Sequence, residues 1–508
     1  MKVTMVWCTL SALAALLMCL SPSPAGELRQ SLGKGDAFRF TVDAGKVVRP
    51  VDRRVMGISF FCMYDYLPIY DRSTGQWILN EHAVKAIQDL HTPFSRIFWL
   101  DQSGTGQFAW DLKGSIDRVA EMCRRFGIKH EDFVMEVEQQ QQSESTSPEK
   151  WAEAVRYSKS KGYGFRLWEV CNEPYNGRWT ADQYVEHVKA VYKAVKAVDP
   201  DAQIGVAAGL TPFNVFGATQ TDDPIIRDLA GYYDFVSPHY YCHIRGVDQV
   251  PFEHITFDGN QWIIDAYVRP TRTLLDKYNP DRKIPILDTE WGMHGYNSNT
   301  GGDRELRRAD YANRNSNIAG ALHRAIRFMY YFNEGLVEGA SQWNMLAPKD
   351  RPGWAIVAID DDRLFVLYYL NYYFGRYVGD QVVSVSGTCP YYEKSGVPFG
   401  YRAEPRDISM PKAPVLATKS EDGQHLYLVV ANGTENESLP CRVDLEGFRV
   451  GAAEGKRLTQ ADIDAPALVE KESDVVGSLP VKIADGGKTL TFEAAAHSIS
   501  FISIAAAK

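Results

Sequence analysis

Two carboxylates stand at matching places in this chain. Glu173 follows an apolar run in "RLWEVCNEPY" (166–175), and Glu290 closes "IPILDTE" (284–290). Two carboxyl groups held about 5–5.5 Å apart can open an acetal in two displacements, one protonating the leaving oxygen and the other attacking the anomeric carbon. Other reactive or recognition side chains recur at the same kind of position: Arg96 in "FSRIFWL" (94–100), His239 and Tyr241 in "DFVSPHYY" (234–241), and Trp343 in "GASQWNM" (339–345). Taken singly, each has a plainer reading. A glutamate after a strand is commonly a solvated loop residue, an inward arginine a buried ion pair, and an aromatic plain core. Only their joint placement carries chemistry.

The elements that must place them alternate. Short apolar runs at 55–61, 94–100, 132–138, 165–170, 203–208, 234–241, 284–290 and 339–345 are separated by longer amphipathic stretches. Eight such units over some three hundred residues predict a (β/α)8 TIM barrel, and no glycine-rich phosphate turn follows the first run, as an open doubly wound sheet would show. In "TADQYVEHVKAVYKAVKAV" (180–198), Thr180 and Gln183 have capping-box spacing ahead of an apolar residue every third or fourth position. Beyond about residue 381 the helical period gives way to alternating runs and Gly, Asn and Asp turns, the pattern of an antiparallel β-sandwich. "DAFRFTVDAGKVVRPV" (36–51) alternates too and is expected to join that sandwich. The expected division is 1–25 a signal peptide, 26–51 N-terminal strand, 52–380 barrel and 381–508 sandwich.

In a parallel barrel the C-terminal strand ends form one rim, and active sites are built there. Glu173 after the fourth strand and Glu290 at the seventh reach the same mouth. This arrangement resembles the clan A glycoside hydrolases, and "LWEVCNEPY", "VKAVDPDAQIGVA" and "LDTEWG" look most like family 39, the β-xylosidases and α-L-iduronidases, with families 51 and 30 as relatives. Cys171 departs from the aromatic residue that family 39 usually carries before Asn-Glu-Pro. The resemblance implies Glu173 as acid/base, Glu290 as nucleophile, and Asn172 on the sugar 2-hydroxyl. It further implies Arg96 and Tyr241 keeping Glu290 ionised, His239 lining the site and Trp343 under the sugar. On those roles Glu173 is expected to titrate above free glutamate, and Glu290 to stay charged beside Arg96. Trp291, with Trp99, Trp110, Trp179 and Trp354, falls near strand ends, where indoles suit the flat faces of a pyranose, so Trp291 is expected to bind substrate. Glu169 and Cys171 are given no catalytic role.

The bulk numbers narrow the class. The chain has 508 residues, 45% of them apolar, enough for a large core and a smaller one, and a formal net charge of -9 that disfavours nucleic acid. Lys2, the apolar run 6–20 and "SPSPAG" read as a cleaved export signal, too short for a membrane span, which predicts a secreted or periplasmic protein. The cysteines show no metal spacing, and the histidines are scattered, so neither metal nor organic cofactor is expected. An oxidising compartment would permit a bridge between Cys389 and Cys441. The expected substrate is a poly- or oligosaccharide, cut by an exo-acting β-glycosidase of β-xylosidase type. An α-L-arabinofuranosidase, an endo-β-glucanase or mannanase, and an inactive carbohydrate-binding barrel are the alternatives.

Overall fold

The computed structural model describes residues 31–60, 69–71, 73–101, 111–138, 147–177, 179–212, 215–296, 313–349, 353–398 and 404–507. The proposed export signal, Cys62, Trp110 and the Gln139–Gln142 run lie outside them.

Eight parallel strands close a ring: Gly57–Ile58, Ser95–Ile97, Phe133–Met135, Leu167–Val170, Gln203–Val206, Phe235–Val236, Leu287–Tyr296 and Gly339–Gln342. Consecutive members are laddered except at two seams. At one seam, Ile58 N donates to Phe94 O at 3.0 Å and Phe60 N to Arg96 O at 2.9 Å. At the other, Val236 bridges Ile286. The barrel predicted from the alternation is therefore present, with each strand inside its predicted run except the seventh, which continues past residue 290 to Tyr296.

Side chains alternate along a strand, so the inward face is read at every second residue. Phe94, Val134, Leu167, Phe235 and Leu287 form an apolar plug low in the barrel. Two residues further along the same strands come Arg96, Glu136, Glu169 and Ser237, all buried. The polar layer that begins the site thus rests directly on a dry floor. Helix Ala181–Val198 shows how the outer ring is fixed. Thr180 accepts from Gln183 N, Gln183 Oε1 accepts from Thr180 N, and Tyr184, Val185, Val188, Val191 and Val195 turn inward.

The second unit is an eleven-stranded sheet folded over one core that includes Phe40, Val42, Val385, Leu428, Val443 and Ile502. Phe38–Pro50 lies inside it, antiparallel to Gln381–Cys389 and parallel to Leu439–Glu446. Ser31–Lys34 also pairs parallel with Gln381–Cys389. The sheet is accordingly not purely antiparallel. Parallel neighbours need a long crossover, and here the whole barrel is that crossover. Cys389 and Cys441 are free. Thr388 pairs with Arg39 and Cys441 with Phe38, so a strand separates the two cysteines. Two ladder spacings amount to roughly 10 Å, beyond the reach of a disulfide.

The two units are bonded to each other. Arg314 holds Asp464 through Nε at 2.6 Å and Nη2 at 3.1 Å, Asn317 Nδ2 donates to Ile463 O at 2.7 Å, and Gln460 Oε1 accepts from Ile318 N at 2.9 Å. That last bond satisfies an amide at the open first turn of helix Ile318–Glu334.

Candidate active site

Arg96 sits at the centre of the polar layer with no exposed surface. Its Nε and Nη2 bind the two carboxyl oxygens of Glu169 at 2.7 and 3.1 Å, Nη2 also donates to Asn172 Oδ1 at 2.7 Å, and Nη1 donates to Glu290 Oε1. Burial opposes the guanidinium charge, but Glu169, Glu290 and Glu136 outweigh it and hold the pKa above the usual value. Arg96 is therefore a fixed cation. Glu169 is its bidentate partner and also accepts from Ser237 Oγ. Burial would raise the Glu169 carboxyl, yet Arg96, His239 and Ser237 bring it down to about 2. The sequence reading overlooked Glu169. The available signal was that Arg96, Glu169 and Ser237 are each two residues beyond a plug residue.

The seventh strand delivers Glu290 through a register shift. Asp288 pairs with Ala340, yet Trp291 pairs with Gln342, so the strand carries one residue more than its neighbour between those points. A bulge re-aims side chains. Thr289 Oγ1 reaches His239 Nε2 at 3.2 Å, and Glu290 Oε2 accepts from Tyr241 OH at 2.9 Å. Trp291 is turned the other way. It is wholly buried with edge contacts to Phe328 and Tyr331 at 5.4 and 5.8 Å, in the layer between barrel and helix. The expected substrate contact at Trp291 is thus corrected to core packing.

Glu173 comes from the end of the fourth strand, where the chain bends sharply. Cys171 and Glu173 have φ of 63° and 46°. Trp99 and Phe216, in loops after the second and fifth strands, also have positive φ, so four of the seven such non-glycine residues described stand at this rim. Strain of this kind persists where surrounding bonds over-determine it and collects at functional sites. The Glu173 side chain keeps 18% of its surface, more than the 6% of Glu290, and is bonded on three sides. Tyr175 OH donates at 3.2 Å, Asn176 Nδ2 at 2.9 Å, and His239 Nδ1 lies 2.9 Å from Oε1.

One ligand atom from each of Glu173, His239 and Glu290 lies within 4.8 Å of the other two. That separation suits a carboxylate pair that forms a covalent intermediate and is too close to admit the water of an inverting pair, which needs about 6.5–9.5 Å. The same three groups have the spacing of a cation site. However, both oxygens of Glu290 are already engaged by Arg96 and Tyr241, and the guanidinium brings positive charge to the place a cation would occupy.

The titration order reverses the sequence expectation. Burial raises Glu173, but the hydrogen bond and charge of His239, the Asn176 amide and Arg96 together carry it below free glutamate. Glu290 is raised, chiefly by burial, with His239 and Arg96 resisting. His239 loses to burial and gains more from Glu290, Glu169 and Glu173, reaching about 10. In the free chain the proton shared by His239 and Glu173 therefore rests on the imidazole.

An aromatic wall completes the mouth. Trp343 is nearly buried and stacks on Phe98 at 5.8 Å, and Arg96 lies over the same Phe98 ring at 4.6 Å. Tyr241 lies tilted against His294 at 4.3 Å, and His294 stacks with Trp354 at 4.4 Å. Trp179 instead packs on His187, away from this group. Of the predicted site residues, the structure gathers Arg96, Asn172, Glu173, His239, Tyr241, Glu290 and Trp343, and leaves out Trp291.

A barrel with this rim defines the clan A class, and the chain is a glycoside hydrolase of that architecture. The family model for cellulase (glycosyl hydrolase family 5) matches residues 120–322. Among solved structures, the chain is similar to the thermostable family 51 α-L-arabinofuranosidase from Thermotoga petrophila RKU-1, at TM-score 0.72 and 18% identity over 92% of this chain and 100% of that one. The α-L-arabinofuranosidase from Thermotoga maritima in its arabinose complex gives 0.69 and 17% over the same shares. A family 44 xyloglucanase from Paenibacillus polymyxa gives 0.58 and 10%, over 93% and 100%. No curated protein matches the sequence.

Proposed function

We propose that this protein is a retaining exo-glycosidase that removes a terminal pentose from plant-type oligosaccharides, with the α-L-arabinofuranoside as first substrate and the β-D-xyloside as second. The reading rests on one observation, the Glu173–His239–Glu290 cluster within 4.8 Å. Likeness over 92% of this chain and the whole of theirs to arabinofuranosidases supports the choice of sugar. The family 5 match and the xyloglucanase likeness favour an endo-acting glucanase as the competing reading.

In the proposed reaction Glu290 attacks the anomeric carbon as the C–O bond to the aglycone breaks, and the leaving oxygen takes a proton from Glu173. Arg96 and Tyr241 hold the attacking carboxylate ionised and aimed. Tyr241 can donate throughout, because burial and the carboxylates Glu290 and Glu173 push its hydroxyl pKa far up. Asn172, anchored by Arg96, faces the sugar 2-hydroxyl. Once Glu290 is an ester its negative charge is gone, Glu173 is ionised, and it takes a proton from the water that releases the sugar. A panel of p-nitrophenyl glycosides tests the sugar. Turnover of the α-L-arabinofuranoside above all others is expected, and activity confined to polymer would replace this reading with the endo one.

A further inference from the structure

We infer that Glu136 is a positioning residue that fixes Trp99 against the aromatic wall of the sugar site, an inference that rests on the glycosidase reading above. Glu136 follows Phe133–Met135 and points into the barrel with no exposed surface. Its Oε2 accepts from Trp99 N at 2.8 Å. Neighbouring bonds clamp the same turn, Leu100 N to Glu136 O at 3.0 Å and Asp101 N to Val137 O at 2.8 Å.

The bond matters because of what the backbone does there. The ladder between the second and third strands ends at Ile97 and Met135. Two residues on, Trp99 turns left-handed, with φ of 62°, a region that a bulky side chain enters only under constraint. Its N–H donates to the Glu136 carboxyl, which supplies an acceptor at the bend. The direction of that bend sets the indole, which stands edge-on to Phe98 at 5.2 Å and 88°. Phe98 in turn stacks on Trp343. The carboxyl thus governs where the outer ring of the wall stands.

The choice of residue supports a task beyond filling space. Oε1 of Glu136 is buried without a hydrogen bond among the described residues. Burial pushes its pKa well up, Glu138 adds to the rise, and Arg96 only partly offsets them. A leucine would fill this volume without that penalty. What leucine cannot supply is the acceptor for Trp99.

The test is a double-mutant cycle on the activity of the full chain. Glu136→Leu should raise KM about tenfold with kcat within about threefold, the loss of roughly one aromatic contact, and Trp99→Ala should do the same. The double variant should be no worse than Trp99→Ala, and Glu136→Gln, which keeps an acceptor oxygen, should restore most of the KM. An unchanged KM in Glu136→Leu, additive effects, or a Gln variant as poor as Leu would each overturn the assignment. Glu136→Met replaces Glu136→Leu under the same criteria if the latter does not fold. Near-UV circular dichroism separates this inference from the function. Glu136→Leu should lose the same tryptophan signal as Trp99→Ala whether or not any glycoside is cleaved.

Discussion

Nδ1 of His239 lies 2.9 Å from Oε1 of Glu173, and this contact decides where the acid's proton waits. Leaving-group protonation needs a proton at Glu173, while the electrostatics of the free chain store it one hydrogen bond away. The stored proton is retained across neutral pH because the imidazole titrates at about 10, well above its ordinary 6.5.

The alkaline limb of the kcat/KM profile should therefore lie well above neutrality. In His239→Asn the proton can reside only on Glu173, relieved of the His239 charge that lowered it, so the limb should move to lower pH. The same shift has a stability side. His239 is raised on folding, so its contribution is complete below about 6.5 and is lost as pH rises through about 10. A pH–rate profile that does not move on substitution would remove His239 from the proton path.

The two glutamates should fail differently. Glu290→Ala should lower kcat by roughly 10⁴-fold or more, and added azide should occupy the vacated space and yield a glycosyl azide of inverted configuration. Glu173→Ala should still release good leaving groups in the first step and then stall, with azide restoring turnover and giving retained configuration. NMR of the anomeric proton reads both. Identical anomers from the two variants would refute the pairing.

Asp288 offers a test of stability. It is fully buried, its Oδ1 accepts from Tyr240 N at 3.1 Å and its Oδ2 from Tyr331 OH at 2.8 Å, and burial raises its pKa to about 7 despite those bonds. A carboxyl raised on folding favours the native state below its unfolded pKa near 4, and that contribution is lost as pH rises through about 7. Asparagine keeps an acceptor oxygen for Tyr240 N, and its Nδ2 can donate to the Tyr331 hydroxyl oxygen in place of the acceptor it removes, without ionising. The Tm of Asp288→Asn relative to the wild type should accordingly climb between pH 4.5 and pH 8. A constant difference would mean that Asp288 does not ionise in that range.

Deleting Phe38–Pro50 should unfold the sandwich rather than trim it, because the strand is laddered on both edges to Gln381–Cys389 and Leu439–Glu446. A chain spanning only 52–380 would also lose the caps that Gln460 and the 463–465 loop give helix Ile318–Glu334. Aggregation or a molten far-UV signal is expected of both. A cooperative transition and normal turnover from 52–380 would show that the barrel stands alone.

Much of this was legible in sequence for a physical reason. Strand runs between amphipathic helices leave a period that needs no tertiary knowledge, and a barrel forces strand ends to one rim, so Glu173 and Glu290 could be paired across 117 residues. What failed depended on one-residue offsets or on a third body. Trp291 follows the extra residue at Asp288/Trp291, which reverses its face, and no composition signal marks that bulge. Glu169 looked like an idle neighbour of Glu173 because its partner, Arg96, is 73 residues away. The pKa order was misjudged because reasoning on two carboxylates omitted the imidazole between them.

The pairing of Phe38 with Cys441 spans 403 residues (441 − 38), and it sets a timetable for biosynthesis. At about 5–20 residues per second, a ribosome needs roughly 20–80 s between making one partner and making the other. The nascent strand Phe38–Pro50 has both edges open until Gln381–Cys389 is made and one edge open until Leu439–Glu446 follows, and it carries Phe38, Phe40 and Val42 for its eventual core. Open apolar edges invite association with other chains. The strand also bears Arg39, Asp43, Lys46 and Arg49, charges that keep such an edge soluble while it waits. This N-terminal strand is thus among the last to be secured, and those four charged residues guard the nascent chain as much as the finished surface.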